Sequence, residues 1–130
     1  MLWRLYHTIE KIDHDCIREA GFSSQTDFAI LEILEHLGAQ TIKEIGDRVR
    51  LTSGSITTAI QRLEKLHWIR RESCVKDKRR TLIYLTSAGR QRILPSLDAH
   101  AEVLEKAFNR LDAEERAQFE ALCLKLELDR

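Results

Sequence analysis

Ser53, Ser55, Thr57, Thr58, Gln61 and Arg62 fall within one ten-residue stretch that carries no acidic side chain. All six are short or flexible hydrogen-bonding groups. Ile56, Ala59, Ile60, Leu63 and Leu66 alternate with them at three- and four-residue spacings, which on a helix gathers the apolar groups on one face and the polar ones on the other. A helix anchored by one stripe and polar on the opposite side can enter the DNA major groove. There hydroxyls and amides exchange hydrogen bonds with base edges and a guanidinium forks onto guanine. Further along, Lys76-Asp77-Lys78-Arg79-Arg80 places four cations in five residues. Such a run is either a solvated turn or a contact to phosphates or a narrow minor groove; its position behind the polar helix favours DNA.

Other groups have the types that chemistry needs. His7, Glu10 and His14 share a helical face at spacings of three and four. That trio would suit zinc, but no second cluster completes four ligands, so no metal site is assigned. Cys16 is either an exposed reactive thiol or a small buried hydrophobe on an apolar seam. Cys74 and Cys123 are expected to be more buried still, one in a strand and one in a helix seam. The chain has no glycine-rich phosphate loop, CxxC pair, His-x-x-x-His pair or nucleophile elbow. It is expected not to be an enzyme.

The elements that position these residues follow from start and stop signals. Thr41-Ile42-Lys43-Glu44 is a capping box, and Ile42, Ile45 and Val49 continue as one short helical stripe. A polar turn over 51–55 follows, with Thr52 or Ser53 as cap for the next helix. Residues 68–75 and 81–86 are rich in aromatic and branched side chains and flank the cationic run, predicting an antiparallel hairpin. Two helices, a turn and a basic hairpin make a winged helix-turn-helix over 41–88.

The flanks are helical. Leu2, Leu5, Ile9, Ile12 and Cys16 form a narrow seam on a first helix that Gly21 terminates, and Ser24 to Asp27 open a second that buries Phe28, Leu31, Ile33 and Leu34. After the hairpin, Thr86 or Ser87 caps a long helix that Pro95 is expected to kink near Gln91 or Arg92, and Asp112 to Glu115 open a last helix carrying Phe119, Leu122, Cys123 and Leu126. The terminal seams exceed what so short a chain can cover and predict a two-fold dimer. That dimer would set two reading helices about one duplex turn apart on a palindromic operator.

Three fragments, in this order and spacing, resemble the MarR family of winged-helix transcriptional regulators. They are the Ser/Thr-rich helix ending in Arg62-Leu63-Glu64, the wing element Asp77-x-Arg79, and Leu85-Thr86-x-x-Gly89. The resemblance is close in the middle of the chain and follows by pattern in the flanks. It implies a sequence-specific, ligand- or redox-responsive repressor that binds double-stranded operator DNA as a homodimer through its first and last helices. The alternative is a winged helix that docks a partner protein without reading DNA. It further implies an effector pocket between the first, second and fifth helices, with Trp3, His7, His14, Phe28 and His36 as candidates by type. A phenolic or quinone-like effector fits the segment 28–54, which looks closer to the quinone- and catechol-responsive branch. The peroxide-sensing branch pairs a cysteine with second-helix tyrosines, and this chain has Phe28 there.

The expected DNA contacts are therefore Ser53, Ser55, Thr57, Thr58, Gln61, Arg62, Lys78, Arg79 and Arg80. Asp77 is expected to orient Arg79 through an ion pair, and Cys16, His14 and Phe28 to serve effector or redox sensing. No cofactor is expected.

Composition agrees. The 130 residues predict one domain, with a winged-helix core at about 24–88 and dimerisation helices at 1–20 and 88–130; the fold class is mainly α with a two- to three-stranded antiparallel wing. Residues 41–92 hold thirteen Lys/Arg against five Asp/Glu, a surplus of eight positive charges, and the remainder carries the same surplus of negative ones. A basic module between acidic flanks is the electrostatic footprint of a DNA reader. No signal segment or long apolar run is seen, and three cysteines without a close pair fit a reducing, cytoplasmic setting with no membrane partner.

Overall fold

The computed structural model describes residues 1–49 and 53–126, with Ser53 described in its backbone only. The turn at 50–52, and with it the choice of Thr52 or Ser53 as cap, lies outside the described residues. The elements are α1 (Leu2–Glu19), α2 (Gln25–Leu37), β1 (Gln40–Thr41), α3 (Ile42–Val49), α4 (Ser53–Lys65), β2 (Ile69–Ser73), β3 (Thr81–Leu85), α5 (Ser87–Phe108) and α6 (Ala113–Leu126). Six helices and a three-stranded antiparallel wing are thus present among the described residues.

Local chemistry sets the boundaries. The Thr41 capping box forms in both directions: Thr41 N–H donates to Glu44 Oε2 at 2.7 Å, and Glu44 N–H to Thr41 Oγ1 at 3.2 Å. Asp112 and Glu115 do the same ahead of α6, at 2.9 Å each way. At α2 only half the motif forms. Ser24 Oγ accepts from Asp27 N–H, but the Asp27 carboxylate turns elsewhere. Gly21 and Gly38, at φ +85° and +76°, take the left-handed backbone that follows α1 and α2.

The sheet order is β1-β3-β2, and β3 is the central strand. Ile83 of β3 pairs with Gln40 on one side and Arg71 on the other, and is fully buried beneath them. Apolar burial makes one core. Phe28, Ile30, Leu31 and Leu34 of α2 meet Ile45 of α3, Ile56, Ile60 and Leu63 of α4, Ile83 of β3 and Ile93 of α5. Leu66, expected inside, is 44% exposed, because α4 ends at Lys65 and the chain reverses at His67, φ +60°. Ile33 is only half-buried; the neighbouring Ile30 faces the core instead.

The recognition segment is locked to α5 by backbone contacts. Thr86 N–H donates to the Trp68 carbonyl at 3.0 Å, and Thr86 Oγ1 donates to the His67 carbonyl at 2.6 Å while capping Gly89 N–H at 3.0 Å. Gly89 sits so close that a Cβ would lie 2.1 Å from Trp68 O. Pro95 lies inside α5, which runs on through Phe108.

α1 packs mainly on α5, whereas α6 has no buried residue and meets α5 at an elbow made by Phe108, Phe119 and Arg116. Among the described residues, no helix is long and apolar enough to cross a membrane.

Candidate nucleic-acid interface

The polar face of α4 looks outward. Ser55, Thr57, Thr58 and Gln61 are exposed, while Ile56, Ala59, Ile60 and Leu63 on the opposite side are buried. Thr58 Oγ1 donates back to the Gly54 carbonyl at 3.0 Å. The side chain of Ser53 is outside the described residues.

Arg62 departs from the expected pattern. Its Nε donates to Asp27 Oδ2 at 2.8 Å and its Nη2 to Asp27 Oδ1 at 2.5 Å, so the guanidinium is turned toward α2. The physical reason is Asp27, which is 1% exposed. A buried carboxylate must be paired, and this demand outweighs solvation of the arginine. The same bond, then the Asp27 charge, holds the Arg62 guanidinium above the usual arginine range, against its partial burial. Nothing in residues 24–27 announced this, because a Ser-x-x-Asp cap already explained the carboxylate.

The wing carries the cations. β2 and β3 run in register from Ile69↔Leu85 to Ser73↔Thr81, and Cys74 to Arg80 form the tip, closed by Cys74 N–H to the Arg80 carbonyl at 2.7 Å. The tip therefore begins earlier than the sequence suggested, and Val75, Lys76, Lys78 and Arg79 are all exposed on it. Asp77 does not form an ion pair with Arg79 among the described residues. It accepts the Arg79 backbone N–H at 3.0 Å and its carbonyl accepts from Arg80 N–H at 3.0 Å. A short acidic side chain bonds the local backbone more readily than a flexible guanidinium two residues on. Asp77 shapes the turn and leaves the Arg79 guanidinium free of it.

Arg80 Nη2 reaches Glu44 Oε1 at 3.3 Å, joining the wing to the start of α3. Donation from Thr41, by its backbone first and then its side chain, followed by the Arg80 and Arg48 charges, holds the Glu44 carboxyl below the usual range despite some desolvation. Beside this bridge, Lys43, Asp47, Arg79 and Arg80 border a cleft of about 560 Å³ between wing and α3. Arg71 Nε donates to Glu64 Oε1 at 2.6 Å, fixing β2 to the end of α4, and Arg70 lies 4.5 Å over the Tyr84 ring.

The sensory candidates are dispersed. Phe28 is 2% exposed and packs edge-on against Phe22 and beside His100, so it belongs to the core rather than to an open pocket. His100 in turn pairs with Asp13, filling the space among α1, α2 and α5. His7 and His14 border a surface cleft of about 440 Å³ with Glu10, Lys11 and Gln25, and Trp3 stands edge-on to His7 at 4.4 Å. His36 is exposed at the far end of α2.

Cys16 is half-buried, and burial first, then Glu19 and Asp13, pushes its thiol up. Cys123, expected in a covered seam, is exposed, because no described residue of α6 is buried; Cys74 is half-buried in the wing tip, not in a strand. Among the described residues, no group of three or more His, Cys, Asp or Glu is placed to hold a metal ion.

A recognition helix presenting hydroxyls and an amide beside an exposed cationic hairpin defines a winged-helix DNA-binding protein. Comparison with known proteins narrows the class. The sequence model of the MarR family matches residues 24–81. The chain is 36% identical over 108 residues to the uncharacterized HTH-type transcriptional regulator YkoM of Bacillus subtilis, covering 83% of this chain and 70% of that one. Its fold is similar to that of Sco3205, a MarR family transcriptional regulator from Streptomyces coelicolor solved in complex with DNA (TM-score 0.82, 23% identity, 96% of this chain and 82% of that one). It is likewise similar to Bordetella bronchiseptica BpsR, whose DNA binding is regulated by 6-hydroxynicotinic acid (TM-score 0.83, 21% identity, 98% of this chain and 91% of that one). The chain belongs to the MarR family: it is a DNA-binding transcriptional regulator and not an enzyme.

Proposed function

We propose that the chain works as a homodimer that reads a palindromic operator in the cytoplasm and represses transcription by occupying it. The observation that carries this reading is the exposed polar face of α4, Ser55, Thr57, Thr58 and Gln61, set beside the exposed cations Lys78 and Arg79. We assign base readout to the first group, with Ser53 as part of the same face, and backbone or minor-groove contact to the second. Arg80 supports the wing through Glu44 and adds charge at its base.

Dimerisation rests on unpartnered apolar surface at the two ends. Leu2 and Trp3 on α1 are each 71% exposed, and Leu122 and Leu126 on α6 are 58% and 68% exposed. Exposed apolar surface of that extent on two helices calls for a second copy, and a two-fold axis there repeats the reading helix on the same side of the duplex. Residues 1–20 and 88–130 then form the dimerisation part of a single domain.

For the response we favour a small phenolic ligand at the cleft bordered by His7, Lys11, His14 and Gln25, since the interior near Phe28 is filled. The raised thiol of Cys16 argues against rapid oxidation there. Titrating phenols while following Trp3 fluorescence in a Trp68→Phe background tests the cleft, and an unchanged signal in operator-releasing concentrations of a phenol refutes it.

The DNA reading is tested by fluorescence anisotropy on the duplex upstream of the chain's own gene, across a salt series. Arg79→Ala is expected to weaken binding broadly and to lower the salt slope by about 1 for each phosphate left without its cation. Gln61→Ala is expected to relax base preference while leaving the slope unchanged. Unaltered operator affinity in Arg79→Ala refutes the wing assignment.

A further inference from the structure

The apolar stripe of α4 holds the helix on the core, but apolar contact is non-directional and leaves rotation about the helix axis weakly defined. A directional restraint reaches the helix from α2, apart from the Arg71–Glu64 bond that holds its C-terminal end. The Arg62 fork on Asp27 uses two parallel N–H donors on one carboxylate, an arrangement that fixes angle as well as distance. Asp27 is itself held: Ser23 Oγ donates to its Oδ2 at 2.9 Å, and its backbone N–H donates to Ser24 Oγ at 3.2 Å. Arg62 Nη2 also reaches Ser24 Oγ at 3.4 Å. The turn that supplies these serines is gripped from α5, where Arg92 Nη2 donates to the Ala20 carbonyl at 2.5 Å and the guanidinium lies 4.1 Å over Phe22.

We propose that Asp27, which is buried, is a positioning residue of the recognition helix: through Arg62 it sets the rotation of α4 and so the aim of Gln61, Thr57 and Thr58. The inference rests on the DNA-reading role of α4. The scale is sufficient. Side-chain tips lie roughly 5–6 Å from a helix axis, so a 15° rotation moves them about 1.5 Å, beyond the tolerance of a hydrogen bond to a base edge. Arg62 is 39% exposed, which leaves a direct DNA contact as the rival account. The two accounts predict opposite behaviour at Asp27. If Arg62 reads DNA, removing the Asp27 charge frees it and binding holds or improves. If Asp27 positions α4, removing the charge costs specificity even though no DNA-facing group has changed.

The test is a double-mutant cycle on the full chain with Asp27→Asn, Arg62→Gln and both together. Each is measured against a palindromic duplex enriched by the unmodified chain from a random pool, and against a random-sequence duplex. Folding of each variant is checked by thermal melting. The expected result is that each single variant lowers the operator-to-random affinity ratio by about tenfold, the loss of one well-placed base contact, and that the double variant is no worse than either single one. The salt slope on random DNA is expected to stay unchanged. Asp27→Glu, which keeps the charge but is one methylene longer, is measured too, so that a poorly folded Asp27→Asn does not decide the matter; it is expected to fold and still lose ratio. An unchanged ratio in folded Asp27→Asn and Asp27→Glu overturns the proposal, as does additive loss in the double variant. Failure of the unmodified chain to prefer any enriched duplex would overturn the operator reading, and the proposal with it; intact preference in parent and variants overturns the proposal alone.

Discussion

Replacing Gly89 by alanine sets two effects of opposite sign against each other. Gly89 lies in the first turn of α5, where alanine is the better helix former by about 1 kcal/mol. The structure opposes the gain. The new Cβ would stand 2.1 Å from Trp68 O, 2.9 Å from Trp68 C and 2.8 Å from Leu85 Cδ1. Two of those neighbours are backbone, and both belong to the joint where Thr86 ties α5 to Trp68. Relief requires the first turn of α5 to move by about 1 Å, which carries an overpacking cost of roughly 1–3 kcal/mol and weakens hydrogen bonds worth about 1 kcal/mol each. The net expectation is a destabilisation of about 2–3 kcal/mol, a fall of about 7–11 °C in Tm for a chain of this size. Gly46→Ala is the matched control. It too is helical, but its Cβ would meet only Ile56 Cγ1, at 3.6 Å. There propensity acts alone, and a rise of about 2–4 °C is expected. Both are followed by far-UV circular dichroism on heating at one fixed protein concentration, since an associating chain melts in a concentration-dependent way. If Gly89→Ala melts at or above the parent, the close approach of α5 to Trp68 is wrong. If Gly46→Ala falls as far as Gly89→Ala, the propensity argument is.

Three further outcomes are expected. His67 holds a left-handed backbone at φ +60°, so His67→Gly should stabilise by about 0.5–1 kcal/mol, strain relief of 1–2 kcal/mol less the added entropy of glycine in the unfolded chain; urea titration showing a loss would contradict it. Cys16, in a background with Cys74→Ser and Cys123→Ser, should be alkylated by iodoacetamide with a pH midpoint above that of a free cysteine, because burial and then Glu19 and Asp13 disfavour its thiolate; a midpoint at or below neutrality would restore the thiol-sensor reading. Glu44 has a folded pKa below its unfolded one, so its contribution is present above the ordinary glutamate range near about pH 4.3 and is lost as the pH falls through the depressed folded value. The stability gap between parent and Glu44→Gln should accordingly close on acidification, and a gap that widens below pH 4 would reverse the assigned sign.

Signals confined to a few residues were legible in the sequence. Thr41 and Glu44, or Asp112 and Glu115, are three positions apart and specify a helix start by themselves. Ile56, Ala59, Ile60 and Leu63 specify the buried face of α4 in the same way, and by exclusion the outward face of Gln61. The MarR likeness added the order of the parts. Pairings across the chain were not legible. Asp27 and Arg62 are 35 positions apart, and each had a sufficient local explanation, as cap and as groove contact; His100 and Asp13 are 87 apart, with no local pattern to join them. Asp77 failed for the converse reason: a side-chain ion pair was expected where a two-residue backbone bond suffices. The exposure of Cys123 could not be foreseen from a seam, because periodicity gives a face and not what covers it.

The division of charge, a surplus of eight positive over residues 41–92 and of eight negative over the rest of the chain, has a kinetic consequence. A chain with no net charge feels no overall pull toward a polyanion, yet one with separated charge feels a torque. In the field of a duplex, collisions that lead with the acidic remainder of the chain are turned away and those that lead with the wing are drawn in, which favours aligned arrival. This alignment reaches only about 8 Å at physiological ionic strength, so it acts in the last steps of approach and shortens further with added salt. Its benefit is fewer misoriented landings during the search, not tighter holding once the operator has been found.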